Sequence, residues 1–355
     1  MEIERAKPGT LVSILRLNVG DPLPAAVARG YALENAHVVQ QFESYGNENW
    51  LVEDGRGDRY VLRRQLLNAD PSRIEFQIAF QRHLSASGLP PAPYIETASG
   101  HGLVIDDDGE TWTLVGYVDG VEYDFQRAAQ AMEAGRLLAR LHLAALAFVC
   151  EAPGPEYRLP LRACWANARE DLEVLPELLP SERCRRDLAY LSEWWDSVLD
   201  EWPLERFDAL PSGWLHSDYH GRNLVYRDNQ IAGLFDFDDV DRGPYVHDVA
   251  AGFVKFAREK RGSLTIRPDF ACAFLAGYDS VRPLNAEEIA ALPTMALEVY
   301  PPHSHNYVYW RDRRGEDIER RFITEVTTIK ALRSEMERIG TELTSRLARR
   351  PANAS

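Results

Sequence analysis

Cysteine and methionine are both scarce, with four of each in 355 residues. Cys150, Cys164, Cys184 and Cys272 stand singly, so the chain has neither a paired metal-binding spacing nor a dense disulfide framework. Buried thiols in a reducing, cytoplasmic setting are expected. Long apolar runs are missing too: no stretch approaches the roughly 20 apolar residues that cross a bilayer. The opening MEIERAKPGTLVSIL has no basic segment followed by an apolar one, so neither secretion nor membrane insertion is expected. Positive charge is in the minority, 40 Lys+Arg against 55 Asp+Glu for a formal net charge of −15, which argues against non-specific binding of nucleic acid or anionic lipid.

What is present is a large apolar fraction, 45% of residues, enough for two modest domains sharing a cleft or for one large α/β unit. A short helix is expected around Leu23 to Arg29. AHVVQQFES and NENWLVEDGRGDRYVLRR carry β-branched and aromatic residues either side of the turn-like EDGRGD, a pattern of antiparallel strands. DPSRIEFQIAFQRHLSASG supplies Asp70 or Ser72 as a helix cap, Pro71 in the first turn, apolar spacing through Ile74, Ile78 and Leu84, and Gly88 as a stop. HGLVID and TWTLVGYV flank DDGE as two more strands, so residues from about 31 to 118 read as a small lobe of antiparallel sheet with one helix against it. From Gln126 onward helix formers dominate, in AAQAMEAGRLLARLHLAALAF, RCRRDLAYLSEWWDSVL, DVAAGFVKFAREK, FACAFLAGYDSV and NAEEIAALPTMALEV. Near the carboxyl end Ile318, Phe322, Val326, Ile329 and Leu332 share a helix face that should pack, and ARRPANAS reads as a frayed tail.

One segment interrupts the helices. In LHSDYHGRNLVYRDNQIAGLFDFDDV, a strand NLVY, a turn at Asp228 and Asn229 and a strand IAGLFDF follow one another. Asp218 precedes the first strand, Asn223 stands at its start and Asp236 at the end of the second, so an antiparallel hairpin would gather three oxygen-bearing side chains. Phosphoryl transfer from a nucleotide needs such a set: a carboxylate that orients or deprotonates the acceptor, and oxygen ligands that hold Mg²⁺ against the phosphates. His216 and His220 have no third soft ligand at a convincing spacing, which disfavours zinc. His216 is read as structural, bonded to the loop, and His220 as steadying the same turn or approaching substrate. The plain alternative is an Asp-rich surface loop on a hairpin.

These residues resemble the aminoglycoside phosphotransferase and choline kinase superfamily, including its homoserine kinase-like branch, over about residues 30 to 300. The family loop His-Gly-Asp-x-His-x-x-Asn is matched by HSDYHGRN, with Ser217 at the glycine position. The resemblance implies an α+β, bilobal protein kinase-like fold, with a small antiparallel-sheet lobe over residues 1–118 and a large, mainly helical lobe over 119–348. It implies an ATP-dependent, Mg²⁺-dependent small-molecule kinase. Asp218 would be the catalytic carboxylate, Asn223 and Asp236 the metal ligands, and Asp248 in DRGPYVHDVA a structural residue beneath the loop. Asp238 replaces the glycine of the protein-kinase Asp-Phe-Gly triplet. In YVLRR, Arg63 falls at the position of the phosphate-binding lysine and Arg64 on the opposite face, with Glu75 as the expected partner of Arg63. ESYGNEN resembles the phosphate-covering loop, through Gly46 and Asn47; it has one glycine and is no Walker motif. LVGYVDG falls at the interlobe hinge, where Gly116, Tyr117 and Val118 would meet adenine.

The acceptor would present a hydroxyl to Asp218 while Arg63 and the metal hold the phosphoryl group. Asp238, Asp239, Asp241 and Glu298 add negative charge on that side, and Tyr300, His303, His305, Tyr307 and Trp310 offer an aromatic, polar wall. Charge thus favours a cationic acceptor, an aminoglycoside, choline-like compound or amino alcohol. A sugar, a nucleoside antibiotic, homoserine and methylthioribose remain open, in a monomer or homodimer. The competing readings are a pseudokinase that only binds nucleotide or metabolite, a protein kinase, and a metal hydrolase. Asp218, Asn223 and Asp236 are all retained, against the first. No activation-loop ending lies between Asp236 and Asp248, against the second.

Overall fold

The computed structural model describes residues 17–43, 46–67, 69–150, 159–297 and 303–348, with backbone only for 341–348. The chain divides into two compact units, Met1–Leu66 with Tyr94–Tyr117, and Leu67–Pro93 with Val118–Ser355.

In the first unit a short helix, α1 (Ala25–Gly30), precedes strands β1 (His37–Phe42), β2 (Glu48–Glu53), β3 (Arg59–Gln65), β4 (Leu103–Ile105) and β5 (Thr111–Gly116). They form one antiparallel sheet in the order β1-β2-β3-β5-β4. The EDGRGD turn closes because Asp54 Oδ1 accepts the N–H groups of Arg56 and Asp58 at 2.9 and 3.0 Å, and Gly57 takes a φ of 85°. Val27, Val38, Trp50, Val52, Leu62, Trp112 and Leu114 form this unit's core. Alternation along β3 turns Leu62 and Arg64 to that core, where Arg64 pairs with Glu48 and lies over the Trp112 ring. Arg63 lies on the other face, opposite Asn49 and Thr113.

The second unit contains α2 (Pro71–Ala86), α3 (Ala128–Ala145), α4 (Leu161–Leu178), α5 (Glu182–Glu201), α6 (Leu204–Asp208), β6 (Ser212–Leu215), β7 (Leu224–Arg227), β8 (Gln230–Leu234), β9 (Asp241–Pro244), α7 (Tyr245–Phe256), α8 (Pro268–Asp279), α9 (Ala286–Met295), α10 (Ser304–Arg314) and α11 (Ile318–Ala348). Asp70 caps α2 through the Ser72 N–H at 2.8 Å, and Pro71 occupies the first turn. The sequence reading set this helix against the small sheet; its apolar face instead enters the core of the second unit. Phe76 and Phe80 lie one turn apart and meet Trp214 at ring-centroid distances of 5.2 and 6.0 Å, with Phe148 beside both. Burying two such rings stabilises by roughly 1.5–3 kcal/mol each, more than a small sheet edge could return.

Helices α3 and α8 meet through glycine. A Cβ on Gly135 would stand 2.0 Å from the Phe274 carbonyl oxygen, and one on Gly277 2.0 Å from that of Met132, so each position admits hydrogen alone. Two short antiparallel pairs, β6 with β9 and β7 with β8, complete the unit. Neither β6 nor β9 was expected from sequence, and α4 was also missed. On α11, Ile318, Phe322, Val326, Ile329 and Leu332 are all buried, as their spacing predicts.

Candidate active site

The loop from His216 to Asn223 leaves β6 and enters β7, while α7 begins directly after β9, the partner of β6. That pairing brings the first turn of α7 beneath the loop. Asp248 there accepts the backbone N–H of His216 at 2.6 Å and of Ser217 at 2.9 Å. Its third contact is Nε2 of His142 on α3, at 3.2 Å, and His142 Nδ1 lies 2.8 Å from the Tyr278 hydroxyl. Burial keeps the His142 pKa below its ordinary value, against the pull of Asp248. The neutral ring therefore donates from Nε2 to Asp248 and accepts at Nδ1 from Tyr278. Asp248, though buried, is held below the usual carboxylate range: burial alone would raise it, and the donors around it outweigh that.

His216 is fully buried and links the loop to the strand that carries Asp236. The N–H of Asp218 donates to His216 Nδ1 at 3.4 Å, so the ring proton sits on Nε2 and is donated to the Phe235 carbonyl at 3.0 Å. Burial again lowers the ring's pKa, which matches this neutral tautomer.

Asp218 is surrounded by donors. His220 Nε2 lies 3.2 Å from Oδ2, Asn223 Nδ2 lies 3.3 Å from the same oxygen, and Lys255 Nζ lies 3.2 Å from Oδ1. The His220 ring is oriented in turn by the Arg222 N–H, which donates to its Nδ1 at 3.2 Å. Burial, the largest single influence, would raise the Asp218 pKa, but Lys255, His220 and His216 together outweigh it, and the carboxyl is held well below its usual range.

Asn223 also donates from Nδ2 to the Asp218 carbonyl at 2.9 Å. The amide nitrogen is thereby committed to Asp218, and Oδ1 is the oxygen that Asn223 has to offer a cation. The Phe235 N–H donates to the Asn223 carbonyl at 2.9 Å, extending the Leu224–Leu234 register and setting Asp236 beside the same spot in a left-handed backbone, φ 60°. One amide oxygen and one carboxylate suit a hard divalent ion that keeps water and phosphate oxygens in its remaining positions. Among the described residues no group of three His, Cys, Asp or Glu side chains is placed to hold a metal ion. Arg73, a buried residue of α2, donates from Nη2 to the carbonyls of Asp238 and Val240 at 2.8 and 2.7 Å, pinning the loop after Asp236.

The model of the phosphotransferase enzyme family matches residues 38–284. The chain belongs to that family. It is 28% identical over 257 residues to a homoserine kinase of Rhizobium etli, covering 72% of this chain and 74% of the relative. Its fold is that of the structure of an amicoumacin kinase with AMP-PNP, Ca²⁺ and amicoumacin, at a TM-score of 0.60 and 16% identity over 84% of this chain and 90% of that one. A microcompartment-associated aminopropanol kinase is equally similar in fold, with a TM-score of 0.60 and 18% identity over 88% and 95% of the two chains. As a member of the phosphotransferase family it is a small-molecule kinase that moves a phosphoryl group from ATP to a hydroxyl.

The other positions singled out in the sequence have the following surroundings in this phosphotransferase. Glu75 is exposed on α2; the buried, bonded residue of that helix is Arg73. Arg63 is engaged within its own sheet, its Nε donating to Asn49 Oδ1 at 3.0 Å. Gly46 has a φ of 92°, and Asn47 Oδ1 accepts the Leu66 N–H at 2.8 Å, so the Asn47 amide braces the chain after β3. Gly116 pairs with Tyr60 at the end of β5, the Tyr117 N–H is spent on the Arg59 carbonyl at 3.1 Å, and Val118 follows at the start of the second unit. His303 and Tyr307 are not a substrate wall. Both are buried, His303 capping α10 through the Asn306 N–H and Tyr307 donating its hydroxyl to Glu325 at 2.6 Å. Trp310 is buried with them. Asp241 accepts the first N–H of α4, from Leu161, at 2.8 Å. Asp238 and Asp239 are partly buried, and burial pushes the Asp239 pKa up to about 6 against the effect of Arg73. Glu298 and Tyr300 lie outside the described residues.

Sequence reasoning missed His142, Lys255 and Arg73. The first two carried a signal: LHLAA sits in the helix before the loop, and Lys255 follows Asp248 by seven residues, two helical turns on the same face. Arg73 carried none.

Proposed function

We propose that this phosphotransferase uses Mg²⁺-ATP to phosphorylate the hydroxyl of a small amino alcohol or hydroxyamino acid, with homoserine the first acceptor to test. The observation that carries the reading is the grouping of Asp218, Asn223 and Asp236 at one end of the β7–β8 hairpin, tied by the Phe235–Asn223 and Asn223–Asp218 hydrogen bonds. In this reading Asp218 receives the acceptor hydroxyl. Its strongly held negative charge suits orienting the hydroxyl first and taking the proton late, as the bond to phosphorus forms. Asn223 Oδ1 and Asp236 hold the metal ion, which when bound neutralises the phosphate oxygens. His216 and Asp248 act through the loop backbone.

The resemblance to homoserine and aminopropanol kinases supports a short, nitrogen-bearing acceptor. Charge supports it as well, through Asp238 and Asp239 together with Lys255, which acts on Asp239: a substrate with both signs is accommodated better than a polycation. The net charge of −15 agrees with a cytoplasmic monomer or homodimer that acts on a small molecule and not on nucleic acid. Among the described residues no helix is long and apolar enough to cross a membrane.

The test is ADP release from Mg²⁺-ATP with L-homoserine, 1-amino-2-propanol, choline, methylthioribose and an aminoglycoside panel, on the parent and on Asp218→Asn. Turnover with a small amino alcohol or hydroxyamino acid is expected, reduced at least about 1,000-fold by the substitution with nucleotide affinity retained. An Asp218→Asn enzyme as active as the parent removes the assigned chemistry; turnover confined to aminoglycosides removes the acceptor class.

A further inference from the structure

Helix α7 turns one face to the catalytic loop. Asp248 in its first turn holds the backbone of His216 and Ser217, and Lys255 in its last turn holds the carboxylate of the next residue, Asp218. Lys255 also acts electrostatically on Asp239, so its ammonium stands among carboxylates from both sides of the site. Its side chain is 23% exposed, which leaves it open to a ligand while fixed by its stem. His220 and Asn223 both engage Oδ2 of Asp218, and Oδ1, the oxygen left to an acceptor hydroxyl, is the one that Lys255 contacts. A cation so placed adjoins the atom where the acceptor oxygen must lie.

We propose that Lys255 is a catalytic residue of the transfer step, bridging Oδ1 of Asp218 to an oxygen of the migrating phosphoryl group. This rests on the reading of Asp218 given above. In the step, the acceptor oxygen forms its bond to phosphorus. The bond from phosphorus to the oxygen shared with the nucleoside diphosphate breaks, and its electron pair leaves on the diphosphate. The hydroxyl proton passes to Asp218, and Lys255 keeps its own protons throughout. Its charge counters that on the equatorial phosphoryl oxygens, which is greatest as the group passes between donor and acceptor. Interactions made only there raise kcat and leave nucleotide binding nearly unchanged.

Lys255→Met, Lys255→Gln and Lys255→Arg are compared with Asp218→Asn in steady-state kinetics. ADP release is followed with the acceptor that the panel yields, or with water as acceptor where none does, and Mg²⁺-ADP affinity is measured by calorimetry. Lys255→Met should lower kcat about 100-fold or more with KM for ATP and ADP affinity changed less than about threefold. Arg should recover at least tenfold of that loss and Gln should not, because Gln keeps a hydrogen bond to Asp218 without the charge. The inference is overturned if Met leaves kcat within about threefold of the parent, or if Gln rescues as well as Arg, which marks a purely structural contact. If Met fails to fold, judged by its melting transition, the comparison of Gln with Arg decides alone. An active Asp218→Asn enzyme indicts the reading beneath the inference; an inactive one beside an active Lys255→Gln indicts the inference only.

Discussion

The Ser217 N–H donates to Asp248 Oδ1 at 2.9 Å while Ser217 itself is held at a φ of 64°. The carboxylate keeps in a left-handed conformation a residue that pays about 1 kcal/mol to adopt it. The Ser217 hydroxyl is buried and has no hydrogen-bond partner among the described residues, so nothing there compensates for the missing glycine. Ser217→Gly should therefore raise unfolding free energy by about 1 kcal/mol in urea titration, with kcat within a factor of about two. A variant less stable than the parent would show that the serine side chain has a role that its surroundings do not reveal.

Arg73 pins the loop behind Asp236 through two backbone carbonyls. Arg73→Met preserves much of the stem but leaves both carbonyls without that donor, so Asp236 should lose its fixed aim. The Mg²⁺ concentration that gives half-maximal activity should rise about 10-fold or more. An unchanged metal requirement would assign Arg73 to folding alone.

His142 and His216 have pKa values lowered by burial below the 6.5 of a free imidazole. Below that pH the unfolded chain takes up protons that the native rings refuse, so stability should fall with decreasing pH, and Asp248, also lowered, acts in the same direction at more acid pH. Asp239 works oppositely: with its pKa raised from 3.8 to about 6, the native state binds the extra proton between those values and gains stability as pH falls. Two histidines against one carboxyl predict a lower urea midpoint at pH 5 than at pH 7, and Asp239→Asn should steepen the decline. A midpoint that rises on acidification would mean that the two rings are not held neutral.

Gly135 touches the α8 backbone, and a methyl group there would meet the Phe274 carbonyl at 2.0 Å. Gly135→Ala should cost about 3 kcal/mol or more by prising α3 from α8. His142 and Tyr278 sit on these two helices, so activity should fall with stability. Calorimetry against the parent checks the cost; a melting temperature within about 2 °C would show that the helices slide apart freely.

Much of this molecule is visible in local sequence because the governing interactions are local. The Asp70 cap, the EDGRGD turn and the alternation of β3 each depend on residues within a few positions of one another. The gathering of Asp218, Asn223 and Asp236 belongs to the same class, since a hairpin closes on itself and needs no other part of the chain to bring its ends together. The substrate residues chosen from the aromatic run failed for the converse reason. Tyr307 and Trp310 look like a binding wall as a string of letters, and are core because α11 covers them.

The order of residues by itself determined which carboxylates and amides would meet at the hairpin's end, and the helix and strand periods of both units. Tertiary structure alone decided which cations and rings attend them. Lys255 is 37 positions from Asp218, His142 is 106 from Asp248, and Arg73 is 165 from Asp238. Separations of that size are bridged only when apolar faces pack, and the same packing excludes the water that would otherwise mask how strongly those charges act on one another.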